Sequence, residues 1–141
     1  MEGREFLRVA ASLLDTGDDE AFRRASVGRS YYAAFLEARS FCEQYFGLVR
    51  RASGGEHQTV PHLIAAVDPF LADGVRILRS RRNVADYDTH VSPETVSLAF
   101  ANDAFILARS IVDALDAHAA RLELQRSEVS GSEGETGHPA S

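Results

Sequence analysis

Between Asp19 and Phe46 the apolar side chains recur at the spacing of an α-helix, and they do so on two sides at once. Phe22, Ala25, Tyr32, Phe35, Leu36, Cys42 and Phe46 share one side; Val27, Tyr31, Ala34, Ala38, Phe41 and Tyr45 share another. A helix with more than one apolar stripe needs more than one partner, so the segment predicts a central helix or one that also serves a subunit interface. Before it, Arg4 to about Asp15 carries Phe6, Val9, Ala10, Leu13 and Leu14 as a buried stripe and stops at Gly17. Asp18-Asp19-Glu20 then puts negative charge where the start of a helix dipole favours it.

The remaining segments keep the helical period, and none predicts a strand. Ser53-Gly54-Gly55 breaks the pattern. A short helix is predicted between Thr59 and Asp68, with Pro61 in its first turn and Pro69 ending it. A fourth helix runs from about Phe70 to Thr89 with Leu71, Val75, Leu78, Arg82 and Ala85 as its seam. Ser92-Pro93-Glu94 has the form of an N-cap, a first-turn proline and an acidic first turn. The fifth helix then carries one stripe of Val96, Phe100, Ala104, Leu107, Ile111 and Leu115 and another of Leu98, Ala101, Phe105, Ala108, Val112 and Leu122. From about Ser127 the composition turns polar and acidic and lacks the apolar content to order itself. The prediction is an all-α fold: an antiparallel four-helix up-and-down bundle over residues 1–124 with a short extra helix in its middle connection, followed by a disordered acidic tail over 125–141. A chain of 141 residues suits one such domain.

Cys42 is the single cysteine, which excludes an intramolecular disulfide and a cysteine zinc site. No apolar run reaches the roughly 18 residues of a membrane span, and the charged start Met1-Glu2-Gly3-Arg4-Glu5 has no apolar signal core, so a cytoplasmic protein without membrane partners is expected. The net charge of -6 argues against a nonspecific DNA coat. Yet Arg76, Arg79, Arg81 and Arg82 crowd together, and a local basic patch holds phosphate even on an acidic protein. All 15 lysine-plus-arginine side chains are arginine, which genomic base composition explains as well as any function. His57 and His62 do not share a helix face as a zinc pair would, no glycine-rich phosphate loop or nucleophile elbow is present, and neither a metal nor a cofactor is expected.

Two short words carry the chemistry. Arg29-Ser30-Tyr31-Tyr32-Ala33-Ala34-Phe35 and Arg82-Asn83-Val84-Ala85-Asp86-Tyr87-Asp88 each set an arginine and tyrosines inside an apolar helical pattern. An arginine in such a stripe costs free energy unless it is paired or used. The plain structural alternatives are an i,i+4 ion pair for Arg82 and Asp86, a buried pairing of Arg29 with Asp86 or Asp103, and core positions for Tyr31 and Tyr32 with one hydrogen bond each. Tyr87 is open between the core and stacking on a base, and His57 suits a helix start or an interface.

The words Ser30-Tyr31-Tyr32-Ala33-Ala34-Phe35 and Arg82-Asn83-Val84-Ala85-Asp86-Tyr87, with His57 and Val60 after the Gly54-Gly55 loop, resemble the HEPN superfamily of small all-α domains over about residues 5 to 115. The resemblance implies a bundle that dimerises with its polar site near the dimer cleft. Many members are metal-independent ribonucleases; others partner a small nucleotidyltransferase in toxin–antitoxin pairs or bind nucleotides without cutting. Carried onto this chain, Arg82, Asn83, Tyr87 and His90 are the catalytic candidates. Arg29, Tyr32, Arg79 and Asp86 are the candidates for holding RNA or a nucleotide. The ribonuclease members place a histidine a little beyond the arginine; here Tyr87, Asp88 and Thr89 stand there and His90 follows. Neither a phenol nor a carboxylate of ordinary pKa (about 10 and about 4) is a ready base at neutral pH, and a straight helix sets His90 about 12 Å along the axis from Arg82. Three readings result: an RNA- or nucleotide-directed module and possible endoribonuclease, a non-cutting domain that binds a nucleotidyltransferase or nucleotide, and a dimeric scaffold in which the arginines are structural.

Overall fold

The computed structural model describes residues 2–51, 54–87 and 95–136, with side chains of the last segment described through Gly131. They form helices α1 (Gly3–Thr16), α2 (Glu20–Phe46), α3 (Glu56–Ile64), α4 (Pro69–Tyr87) and α5 (Leu98–Thr136), and among the described residues there is no strand. No helix among them is long and apolar enough to cross a membrane.

α2 touches all four other helices, as its two apolar stripes require. Asp19 Oδ1 caps its start by accepting from Ala21 N at 2.7 Å, and Gly47 ends it in the left-handed conformation with φ 66°. Val27, Tyr31, Ala34, Phe35, Ala38, Phe41 and Cys42 of α2 are buried in one core with Leu71, Val75, Leu78 and Ala85 of α4 and Ala101, Ala104, Ala108, Ile111 and Leu115 of α5. The fourth-helix seam is thus packed as predicted, Arg82 included: its side chain is only 12 % exposed. Most of the predicted α5 stripes also pack inward, but Val96 does so from the turn before the helix, Leu98 is exposed at the helix start, and Phe105 is only partly buried.

Several boundaries differ from the sequence expectation. α3 begins at Glu56 instead of Thr59, because Gly54 and Gly55 adopt positive φ (80° and 87°) and turn the chain straight into a helix. Pro61 therefore lies inside α3 instead of in its first turn, and it cannot donate to the carbonyl a turn earlier. Pro69 does not end α3 but opens α4, where Asp68 Oδ1 accepts from Phe70 N at 3.0 Å. The described part of α5 starts at Leu98, with Ser97 Oγ accepting from Phe100 N at 3.1 Å. Ser92-Pro93-Glu94, given above as the cap, lies outside the described residues. Beyond residue 124 the backbone stays helical to Thr136, and the side chains from Glu123 to Gly131 are exposed.

Two arginines early in α2 tie down the ends of the α4–α5 connection. Arg24 Nη1 donates to the carbonyls of Val84 (3.2 Å) and Ala85 (2.9 Å), while its Nε bonds Glu20. A cation at carbonyls near a helix C-terminus satisfies both hydrogen bonding and the dipole. Arg23 Nε donates to the Val96 carbonyl at 2.7 Å, just before α5. These contacts fix the last turn of α4, the turn that carries Asp86 and Tyr87.

Candidate functional site

The site lies where α2, α3 and α4 meet. Gly28 on α2 admits the end of α4: a Cβ there would stand 3.3 Å from Asp86 Oδ1. Asp86 in turn holds Arg82, whose Nε lies 3.2 Å from Asp86 Oδ2, and Arg82 Nη2 donates to the Tyr87 hydroxyl at 2.8 Å. The guanidinium carbon is 5.2 Å from the ring centre of Tyr32, 5.4 Å from that of Tyr87 and 5.5 Å from that of Tyr31. Three phenol rings around one guanidinium stabilise its charge away from water. The i,i+4 ion pair is therefore real, and it is built into a tyrosine cage rather than onto an outer helix face.

Tyr31 continues the network to α3. It is fully buried, and its hydroxyl is hydrogen-bonded to Nδ1 of His57. The imidazole stacks on Phe35, with ring centres 4.5 Å apart and planes 15° apart. Burial pushes the Tyr31 phenol up to about 12, against the pull of Arg79 and Arg82. Burial also lowers the His57 pKa from its ordinary value; Arg79 and then Arg82 add to this, Glu56 opposes it, and Arg39 adds a little. His57 is thus a neutral imidazole at neutral pH. Arg39 closes this end, bonded to Glu56 at 3.1 Å and lying over Phe35.

Arg79 differs from its neighbours. Arg76 pairs with Asp73, Arg81 lies over Phe100 on α5, and Arg82 is held by Asp86. Arg79 is half-buried and makes no hydrogen bond, ion pair or ring contact among the described residues, yet it acts on the charge of both Tyr31 and His57. The predicted basic patch is therefore divided, and its member without a partner among the described residues is the one that acts on Tyr31 and His57.

The structure brings together Arg82, Tyr87, Asp86 and Tyr32, with Arg79 beside them. Arg29 joins through a pocket of about 240 Å³ that it lines with Ala25, Gly28, Tyr32 and Asp86. Arg29 is exposed and is not paired with Asp86 or Asp103; its guanidinium lies over Phe6, 5.6 Å from the ring centre. α1 covers this part of α2 with the Phe6 ring, and among the described residues no carboxylate pairs with Arg29. Asn83 is exposed and has no hydrogen-bond partner among the described residues. His90 lies outside the described residues. Tyr31 is the expected core tyrosine with one hydrogen bond, whereas Tyr87 is 68 % exposed, its hydroxyl on Arg82.

His57 is the residue the sequence did not place in the site. Its spacing to other polar residues is uninformative, because it reaches Tyr31 by the packing of α3 on α2. The one sequence signal was its position after Gly54-Gly55, which sets it in the first turn of a helix. Among the described residues no group of three or more His, Cys, Asp or Glu side chains is arranged to hold a metal ion. Compared with protein-family models, curated proteins and solved structures, the chain matches none.

Proposed function

We propose that the chain is a HEPN-like module, an antiparallel four-helix bundle working as a homodimer, that binds the phosphates of single-stranded RNA or a nucleotide along the seam between α2 and α4. The observation that carries this reading is Arg79: a half-buried guanidinium with no counter-ion among the described residues, close enough to the Tyr31–His57 pair to act on the charge of both. A planar fork without a carboxylate partner is ready for a phosphate. Arg82 keeps N–H groups beyond the two given to Asp86 and Tyr87, and Tyr87 offers an exposed ring for a base to stack on. The resemblance places such a module in a toxin–antitoxin or defence setting, with a nucleotidyltransferase as the candidate protein partner.

Fluorescence anisotropy with a labelled single-stranded RNA and with a mononucleotide, at several salt concentrations, tests the reading. Binding is expected for the strand, with the Arg79→Ala variant about tenfold weaker and its salt slope smaller by about 0.7, the value for one lost single-strand phosphate contact. Tight binding of the mononucleotide alone would make the ligand a nucleotide. Unchanged affinity and slope in Arg79→Ala would reject the site. Light scattering of the full chain checks the dimer.

A scaffold reading is favoured by one observation, that Arg82 already spends two donors on Asp86 and Tyr87. In that case Arg82→Ala lowers the melting temperature and the protein binds no RNA.

A further inference from the structure

α5 outruns the helix it packs on. α2 ends at Phe46, and Tyr45 beside that end donates its hydroxyl to Glu123 at 2.8 Å, while α5 continues to Thr136. The inward face of α5 does not stop there. Leu122, Gln125, Arg126 and Val129 follow one another at the i, i+3, i+4, i+7 spacing of a single helix face. With the end of α2 and Val67 just after α3, that face encloses a groove of about 680 Å³. The volume is that of a small-molecule site. Phe46 is 40 % exposed and Val129 59 % exposed, so both offer apolar surface to an occupant.

The charge of the groove has one sign. Arg121 and Arg126 line it, and none of its described lining residues is acidic, on a chain of net charge -6. The nearby carboxylates are engaged elsewhere. Glu123 accepts from Tyr45 and pairs with Arg126 at 3.4 Å, and Asp68 lies 3.4 Å from His118 Nε2. His118 Nδ1 accepts from Arg121 Nη2, because a guanidinium has donors only; the imidazole proton is therefore on Nε2, toward Asp68. The row Asp68–His118–Arg121 orients the guanidinium through a ring and leaves its charge uncancelled. Arg121 has no carboxylate partner among the described residues, and most of its N–H groups remain for an anion.

We propose that this groove binds a medium-chain fatty acid, with the alkyl tail along Phe46, Val67, Leu122 and Val129 and the carboxylate on Arg121. A carboxylate matches the flat fork of a guanidinium, and burial of the tail against apolar side chains supplies the rest of the affinity. From Leu122 to Val129 the face runs about 10 Å, a length that an octyl chain spans. An amine on the same tail meets two arginines and is repelled. A second copy of the chain suits the groove less well. The apolar stripe stops at Val129, where Ser130 and Gly131 follow, and a stable protein interface needs about 800 Å² from each partner. The groove is about 20 Å along α2 from Tyr32, so its occupancy is independent of the proposed RNA site.

Calorimetric titration of the full chain with sodium octanoate, octylammonium chloride and sodium acetate tests the proposal. Octanoate is expected to bind one per chain, and the other two at least about tenfold more weakly. Arg121→Gln is expected to weaken octanoate about tenfold, the loss of one charge-assisted contact. Val129→Asp puts a carboxylate into the groove at an exposed position; it is expected to keep the wild-type melting temperature and to lose octanoate binding. Arg79→Ala is expected to bind octanoate as the wild type does, whatever it does with RNA. Absence of octanoate binding overturns the proposal. So do equal affinities for octanoate and octylammonium, wild-type affinity in both Arg121→Gln and Val129→Asp, or loss of octanoate binding in Arg79→Ala. A dimer in light scattering that Val129→Asp dissociates would make a second copy the occupant and overturn it as well.

Discussion

The Tyr31 hydroxyl on α2 and Nδ1 of His57 on α3 are hydrogen-bonded inside a stack of rings that includes Phe35. The pair ties the short helix to the central one, and it makes the stability of the fold depend on the protonation of one imidazole. The His57 pKa is lowered on folding, chiefly by burial, from an ordinary value of 6.5. The unfolded chain therefore binds the proton more readily than the folded one below that pH. The stabilising contribution is complete above 6.5 and is lost as pH falls through the ordinary value toward the folded one. Urea midpoints at pH 7.5 and 5.5 are expected to show a larger acid loss in the wild type than in His57→Gln. Equal losses in the two proteins would remove His57 as the cause.

Gly28 sets how closely α4 approaches α2. Alanine there brings a Cβ to 3.3 Å from Asp86 Oδ1, a carboxylate that is about one-third exposed and able to shift. Alanine also gains about 1 kcal/mol over glycine within a helix. Gly28→Ala is therefore expected to fold with stability equal to or slightly above the wild type. Gly28→Val adds branched bulk against the Asp86 carboxylate that holds Arg82 and is expected to cost about 1–3 kcal/mol. Equal denaturation midpoints for the two variants would mean that the approach is not close at this point.

Cys42 offers an internal reporter of opening. It is fully buried, and burial pushes its thiol up to about 11. A thiol that is neutral and inaccessible reacts only when the structure opens. A thiol reagent at pH 8 is expected to label the native protein slowly, and Gly28→Val faster than the wild type. Immediate labelling of the native chain would contradict the burial of the α2 face that meets α3.

Much of this architecture was legible because helical periodicity is a local property. Phe22 to Phe46 had to be a helix with several neighbours, and the Leu71–Val75–Leu78–Arg82–Ala85 seam had to pack, whatever surrounded it. Boundaries were less legible where backbone conformation decides them: positive φ at Gly54 and Gly55 started α3 early, and proline chemistry alone did not say that Pro69 begins a helix instead of ending one. The site was half visible. Arg82, Asp86 and Tyr87 are one helical turn of a single word. Arg29 shares a stripe with Tyr32, but which helix covers it is a tertiary fact, and α1 supplied Phe6 where a carboxylate was expected. His57 meets Tyr31 across a contact between two consecutive helices, 26 residues away in the chain, and no spacing rule reaches that far.

Arg79 and Arg82 stand one turn apart on α4 and are expected to separate binding from stability. Arg82 is 12 % exposed, ion-paired to Asp86, bonded to Tyr87 and caged by aromatic rings. Replacing it with alanine strips Asp86 of its counter-ion and opens space among the tyrosines. Because Asp86 is about one-third exposed, water recovers part of the loss, and the expected cost is about 1–2 kcal/mol. Arg79 has no partner to abandon among the described residues, so Arg79→Ala is expected to change stability by less than about 0.5 kcal/mol. In RNA titrations the order reverses in significance: Arg79→Ala loses affinity at unchanged stability, while Arg82→Ala loses both. Urea denaturation and anisotropy on the same preparations read the two quantities independently. If Arg79→Ala proves the more destabilising of the two, Arg79 has a structural partner and the seam has no cation free to meet a phosphate.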